Sequence, residues 1–176
     1  ILVGQAGIQG GNKFFETIAE EHGMDKEGKL PDDVGVTPFF GQVGASESYT
    51  ANAIAVDLDS KGPAEAMKAN KLYDKEDILV PEGSAGTEMN YAKGHYTMGP
   101  NLVDSAMDRI RKRVENVDQL SAFSIFHSIA GGTGSGMGTL LMTKLREEYP
   151  DRIMSSCTFL EKFNDDEKTV KPYNQM

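Results

Sequence analysis

The sequence predicts an α/β domain built on a mostly parallel sheet. Three observations carry that prediction. Short apolar runs alternate with stretches whose apolar residues recur at helical spacing. Twice, near residues 4–7 and 131–138, glycines separate an apolar run from a helical stretch. The 176 residues are enough for one domain with its own core, so residues 1–176 read as a single unit.

Taken in order, Ile1 to Val3 read as the stub of a strand. A helix follows near Gly7 to His22, with Phe14, Phe15, Ile18 and Ala19 on one face and Gly23 as its stop. Residues 24–50 carry Gly, Pro, Ser and Asp with little periodicity and read as a long loop with at most one short strand. Asn52 to Leu58 reads as a strand ending in Asp57 and Asp59. Pro63 opens a helix to Lys71, where its fixed φ suits the first turn. Ile78 to Val80 is a short strand, closed by a turn at Glu82 to Gly86. Leu102 to Val117 is the clearest helix: Leu102, Val103, Ala106, Met107, Ile110, Val114 and Val117 form one stripe with charges opposite. Ala122 to Ile129 reads as a buried strand, Thr139 to Tyr149 as a helix closed by Pro150, and Ile153 to Leu160 as a further strand. Residues 161–171 are polar and loop-like, with Asp165, Asp166 and Glu167 on a solvated stretch. The chain opens on Ile1 against a glycine turn and closes at Met176 without a helix-ending signal, so both ends read as cuts within a longer protein.

Hydrophobic residues make up 39% and charged residues 26%, the balance of a globular chain. The net charge of −9 argues against a nucleic-acid binder, which needs a basic stripe to replace counterions. It does not exclude a phosphate site made of backbone amides. One cysteine, Cys157, cannot form an intrachain disulfide. It points to a reducing compartment and reads as a small buried apolar side chain. No run approaches the ~20 apolar residues of a membrane span, so a cytoplasmic protein without a membrane partner is expected.

The segment Gly131-Gly132-Thr133-Gly134-Ser135-Gly136-Met137-Gly138 lies between a strand and a helix. The first amides of a helix have no internal acceptor, and the macrodipole adds positive charge there. Glycines let that backbone approach a ligand closely. The result is a nest for phosphate oxygens, to which Thr133 and Ser135 can add hydroxyls. The competing reading is a glycine turn kept for tight packing. A Walker loop is absent because no Gly-Lys-Ser/Thr follows, and the Gly-x-Gly-x-x-Gly fingerprint fails at Met137 and at Thr139. A nicotinamide-dependent oxidoreductase is therefore disfavoured. His22, His95 and His127 do not form a metal set by spacing; His22 reads as a helix-end residue and His127 as a satisfied strand histidine.

The run Gly131 to Gly136 followed by a helix resembles the signature loop of the tubulin and FtsZ superfamily. Gly136 to Leu141, Lys144 to Met154, Tyr91 to Thr97, Leu102 to Ser105, the opening Gly4 to Gln9, Glu21-His22-Gly23 and Pro172-Tyr173-Asn174 are closest to the β-tubulin branch. The resemblance covers nearly the whole chain in order, with residues 28–50 matching poorly. It implies a Rossmann-like three-layer nucleotide-binding fold, here incomplete, with GTP or GDP across the carboxyl ends of the strands. It places Gln5 and Ala6 at the phosphates, with Gln5 near the metal. It places Asp59, where the family has Glu, near Mg²⁺ and the γ-phosphate. Ser128, Gly131, Gly132, Thr133 and Gly134 would line the phosphate cradle.

It further implies a structural subunit of microtubules with an α-tubulin-like subunit and other tubulin subunits as protofilament partners. Hydrolysis would be completed by a neighbouring subunit, so no catalytic residue is assigned within the chain. The guanine-contacting segment would lie past Met176, so the isolated chain is expected to show weak guanine selectivity and no turnover. Several positions depart from the family pattern: Ala6 for Cys, Ile8 for Asn, Lys171 for a Glu near the ribose, and an altered loop at Ser84 to Asn90 in which Glu88 would set a negative charge near the γ-phosphate. These departures support an alternative, a divergent tubulin-like nucleotide-binding protein that does not polymerise.

Overall fold

A computed structural model describes residues 1–25, 27–31, 37–43, 48–117, 119–160 and 170–176. The expected α/β class is what it shows. Five strands form one parallel sheet in the order β5-β4-β1-β6-β7. They are β1 (Leu2–Val3), β4 (Ala55–Val56), β5 (Ile78–Leu79), β6 (Ala122–Ser128) and β7 (Ile153–Phe159). From β1 the chain builds outward through β4 and β5, then crosses to the other side for β6 and β7. The direction of winding therefore reverses between β1 and β6, and open α/β sheets bind ligands at such a switch point.

Alternation along the strands feeds two cores. Val3, Val56, Phe123 and Ile125 face α3 (Gly99–Glu115) and α4 (Gly138–Glu148), meeting Val103, Met107, Ile110, Leu141 and Leu145. Leu2, Ala55 and Ile78 face α1 (Gly4–Glu21) and α2 (Pro63–Met67), meeting Ile8, Phe15, Ala64 and Met67. The result is three layers. Among the described residues no helix is long and apolar enough to cross a membrane.

Several boundaries differ from the sequence reading, each for a tertiary reason. The loop expected over residues 24–50 contains a hairpin, β2 (Phe40–Gln42) antiparallel to β3 (Tyr49–Ala51). The strand expected from Asn52 contracts to Ala55–Val56, because the chain leaves that hairpin before it enters the sheet. Helix α1 starts at Gly4, where φ of +68° turns the strand directly into the helix. A Cβ at Gly4 would stand 2.9 Å from the Gly134 amide nitrogen. Helix α2 stops at Met67, four residues short of Lys71. Helix α3 begins at Gly99, after a wide π turn over Lys93–Met98.

The glycine segment is itself helical from Thr133, again as a π turn (Thr133–Met137) that runs into α4. Glycine propensity disfavours this, but packing overrides it: Cβ atoms at Gly94 and Gly136 would sit 2.3 Å from the Gly132 carbonyl oxygen and 2.4 Å from the Tyr91 carbonyl oxygen. The two π turns pack against each other where only glycine fits. Lys171–Gln175 forms a short helix, α5, that the sequence reading missed. Cys157 is exposed rather than buried, because β7 is an edge strand with mostly exposed positions. The acidic stretch at Asp165, Asp166 and Glu167 lies outside the described residues.

Charged groups fasten the helical layer. Asp77, fully buried at the entry to β5, receives Arg109 Nε at 2.5 Å and Arg113 Nε at 2.5 Å from α3. Arg109 also reaches Glu76 at 2.8 Å and Asp74 at 3.2 Å. Arg111 clamps α3 to α4 through Glu148 at 2.6 and 2.8 Å.

Candidate functional site

At the carboxyl ends of β4, β1, β6 and β7 lies a cleft of about 570 Å³. All eight residues singled out in the sequence line it: Gln5, Ala6, Asp59, Ser128, Gly131, Gly132, Thr133 and Gly134. Two helix starts converge there, that of α1 at Gly4 and that of the Thr133 turn.

The cradle is built by pinning carbonyls and leaving amides. The Gly131 carbonyl accepts the Ser135 N–H at 3.0 Å and the Ser135 hydroxyl at 2.6 Å. The Gly134 carbonyl accepts from His127 Nδ1 at 3.0 Å. Ser128 Oγ takes the Ala130 N–H at 3.1 Å. Among the described residues, the amides of Gly131, Gly132, Thr133 and Gly134 have no protein acceptor. Four consecutive N–H groups without a protein acceptor, on residues that line an open cleft, are donors of the kind an anion nest uses. Ser135 does not add a hydroxyl to it as expected; it is 2% exposed and its Oγ is committed to Gly131.

His127 is the satisfied strand histidine the sequence pointed to. Burial lowers its pKa. The carbonyl of Gly134 can only accept, so Nδ1 carries the proton and Nε2 accepts from Ser156 Oγ at 2.9 Å. His22 caps the end of α1, with Nδ1 at 2.8 Å from the Ile18 carbonyl oxygen.

The acidic end of the cleft holds a residue that the sequence reading flagged without assigning a role. Asp57 is 2% exposed, its Oδ1 accepts the Asp59 N–H at 3.3 Å, and its Oδ2 has no partner. Burial pushes its carboxyl up to about 6, against weaker opposing contributions from the Asp59 and Leu58 amides and the Thr133 side chain. Its place at the end of β4 was the available signal; its burial was not. Asp59 is half-buried, and its Oδ1 holds the Lys61 N–H at 2.9 Å. Among the described residues no cluster of three or more His, Cys, Asp or Glu forms a metal cage. Mg²⁺ on a nucleotide needs only one or two carboxylates beside the phosphates, and Asp59 is a carboxylate on the lining of the cleft.

The raised carboxyl has a measurable consequence. Above about pH 6 Asp57 is charged in both folded and unfolded chains, and the folded chain carries the full desolvation penalty. That penalty fades as pH falls through about 6 and is gone below the unfolded value of 3.8. Asp57→Asn is expected to be more stable than the parent at pH 7–8 by roughly 1–3 kcal/mol. Its advantage should vanish near pH 4 in paired urea titrations; a gap independent of pH would contradict the assignment.

The wall opposite the cradle is strained. Glu88 (φ 51°) and Met89 (φ 58°) both adopt the left-handed conformation, at roughly 1 kcal/mol each for non-glycine residues. The Glu88 carboxylate does not stand bare at the cleft as expected: Lys93 pairs with it and lowers its pKa. Met89→Gly is expected to raise stability by up to about 1 kcal/mol in a thermal melt. A fall would mean that the Met89 side chain outweighs its backbone strain. Phe159, Leu160 and Lys171 complete the far end of the cleft.

Chemically the arrangement can hold an oxyanion on backbone amides, with carboxylates at one end and an aromatic and basic lining at the other. The chain belongs to the Tubulin/FtsZ family, GTPase domain, whose family model matches residues 1–176. It is 40% identical over 182 residues to the tubulin beta-6 chain of Ectocarpus variabilis, covering 99% of this chain and 40% of that one. It is also 40% identical to the tubulin beta-1 chain of Suillus bovinus over 182 residues, with the same coverage. With the tubulin beta chain of Cicer arietinum the identity is 39% over 181 residues, covering 97% and 39% of the two chains. The chain thus spans about 40% of the length of the curated relatives it matches.

Proposed function

We propose that this chain is the nucleotide-binding part of a GTP-binding, tubulin-like subunit, with the Gly131 to Gly134 amides gripping the phosphates of GTP or GDP. The observation that carries this reading is the run of four acceptorless amides at the switch point of the sheet, in a chain of this family. Gln5 and Ala6 face the same phosphates from the start of α1. Asp59 would hold Mg²⁺ together with phosphate oxygens, the ion neutralising charge between them. The chain's own residues bind and orient; hydrolysis would be completed by a neighbouring subunit in a protofilament with an α-tubulin-like partner, within the cytoplasmic microtubule cytoskeleton. We assign it no nucleic-acid or membrane partner.

The test is calorimetric titration of the parent and of Gly131→Ala with GDP, Mg²⁺ and pyrophosphate. A Cβ at Gly131 meets no atom of the other described residues within 4 Å, chain neighbours aside, and φ there is not positive. Folding stability should therefore stay within about 0.5 kcal/mol of the parent. Phosphate affinity should fall about tenfold or more, because the methyl group occupies ligand space. Unchanged affinity in the variant would remove the cradle from the binding site.

A second reading, nucleotide binding without polymerisation, is favoured by Lys171 at the cleft and by the strained Glu88 and Met89. Sedimentation of the longer protein with GTP and an α-tubulin-like subunit separates the two.

A further inference from the structure

Asn174 lies on α5, far in sequence from the glycine loop, yet its side chain joins both walls of the cleft. Its Oδ1 accepts the Tyr91 N–H at 2.9 Å. Its Nδ2 donates to the Met89 carbonyl at 2.6 Å and to the Ala130 carbonyl at 2.8 Å. Three of the four hydrogen bonds an amide side chain can make are used, and each goes to backbone.

The third contact matters most. The Ala130 carbonyl and the Gly131 N–H belong to one planar trans peptide, so they point in opposite directions. Holding that oxygen on Asn174 aims the Gly131 N–H away from Asn174. That N–H is the first of the four amides without an acceptor, on a residue that lines the cleft. Donation to the carbonyl also polarises the peptide and strengthens its N–H as a donor. The other two contacts bracket Asn90 and hold the strained Glu88 and Met89 wall in place.

We propose that Asn174 is a positioning residue for phosphate binding: it orients the Gly131 amide and ties the 87–91 wall to the cradle. The assignment rests on the nucleotide reading above. It concerns the phosphates alone, so it acts on pyrophosphate and GDP alike. Asn174→Asp keeps the acceptor for Tyr91 but turns an oxygen toward two carbonyls, and Asn174→Ala removes all three bonds.

The experiment measures pyrophosphate and GDP affinity of the full chain and of both variants, with amide NMR of the ¹⁵N-labelled proteins. In the parent, pyrophosphate should move the Gly131 amide proton downfield. In folded variants that shift should be lost and both affinities should fall about tenfold or more. Affinities within about twofold of the parent, beside a lowered melting temperature, would make Asn174 a structural staple only and overturn the proposal. Should neither variant fold, the parent decides: a Gly131 amide unmoved by saturating pyrophosphate overturns it, and a downfield shift supports it. A parent that binds neither ligand overturns the nucleotide reading and this assignment with it. A parent that binds while the variants match it overturns the assignment of Asn174 alone.

Discussion

Asp77→Ala is expected to cost the chain roughly 3–5 kcal/mol, a large share of the ~5–15 kcal/mol that holds a native domain together. Asp77 is 0% exposed and is the acceptor shared by Arg109 and Arg113, whose side chains are only 15% and 20% exposed. Removing it leaves two guanidinium groups in a desolvated pocket with only the flanking Asp74 and Glu76 to receive them. An exposed ion pair would be worth about 1 kcal/mol or less. The larger figure follows from uncompensated buried charge rather than from lost attraction. A companion variant separates the two causes: Asp77→Leu with Arg109→Met and Arg113→Met should recover most of the loss, because no buried charge remains. Urea titration measures both. A loss below about 1 kcal/mol for Asp77→Ala would show that the arginines swing out to solvent.

Legibility in the sequence followed the range of the interactions. The α3 stripe at Val103, Ala106, Met107 and Ile110 is a local pattern and faces the core as the sequence predicts, whereas β6, expected to be buried, alternates, with Ala122 and Ser124 exposed. The place of the glycine segment was legible because it is local too: a strand, glycines and a helix start fix where acceptorless amides occur. What escaped depends on distant partners. The π turn at Thr133–Met137 exists because Gly136 and Gly94 let two backbones touch. The Ser135 hydroxyl has an acceptor four residues back, the Gly131 carbonyl, and that inward bond takes it away from the ligand side. Residue type alone puts Cys157 in the core, whereas its exposure follows from strand order, which no local pattern encodes. Asn174 bonds to groups 83, 85 and 44 residues away, and Asp57 becomes a buried carboxylate with one unpartnered oxygen only when Gly62 and Thr133 close around it.

Gly132→Ala is expected to abolish phosphate binding, by more than about 100-fold, and to destabilise the fold by about 3 kcal/mol or more. The added Cβ would lie 2.3 Å from Thr87 Oγ1, 2.5 Å from the Asn90 amide nitrogen and 2.7 Å from the Asn90 carbonyl oxygen. A threonine hydroxyl can rotate away, but Asn90 backbone cannot yield without its neighbours. Asn90 lies between Met89 and Tyr91, both tied to Asn174, and its side chain holds the Ala92 N–H at 2.9 Å. The 87–90 wall must therefore separate from the cradle as a unit, taking the Asn174 contacts with it. Gly131→Ala is the matched control. One residue earlier, the same methyl group meets none of the other described residues, so that variant should keep its melting temperature and lose affinity only. The pair therefore divides two uses of glycine within two positions: Gly131 for access by a ligand and Gly132 for contact between two backbones. Equal melting temperatures for the two variants would contradict that division, because the close approach of Asn90 to Gly132 requires the second to be the costlier.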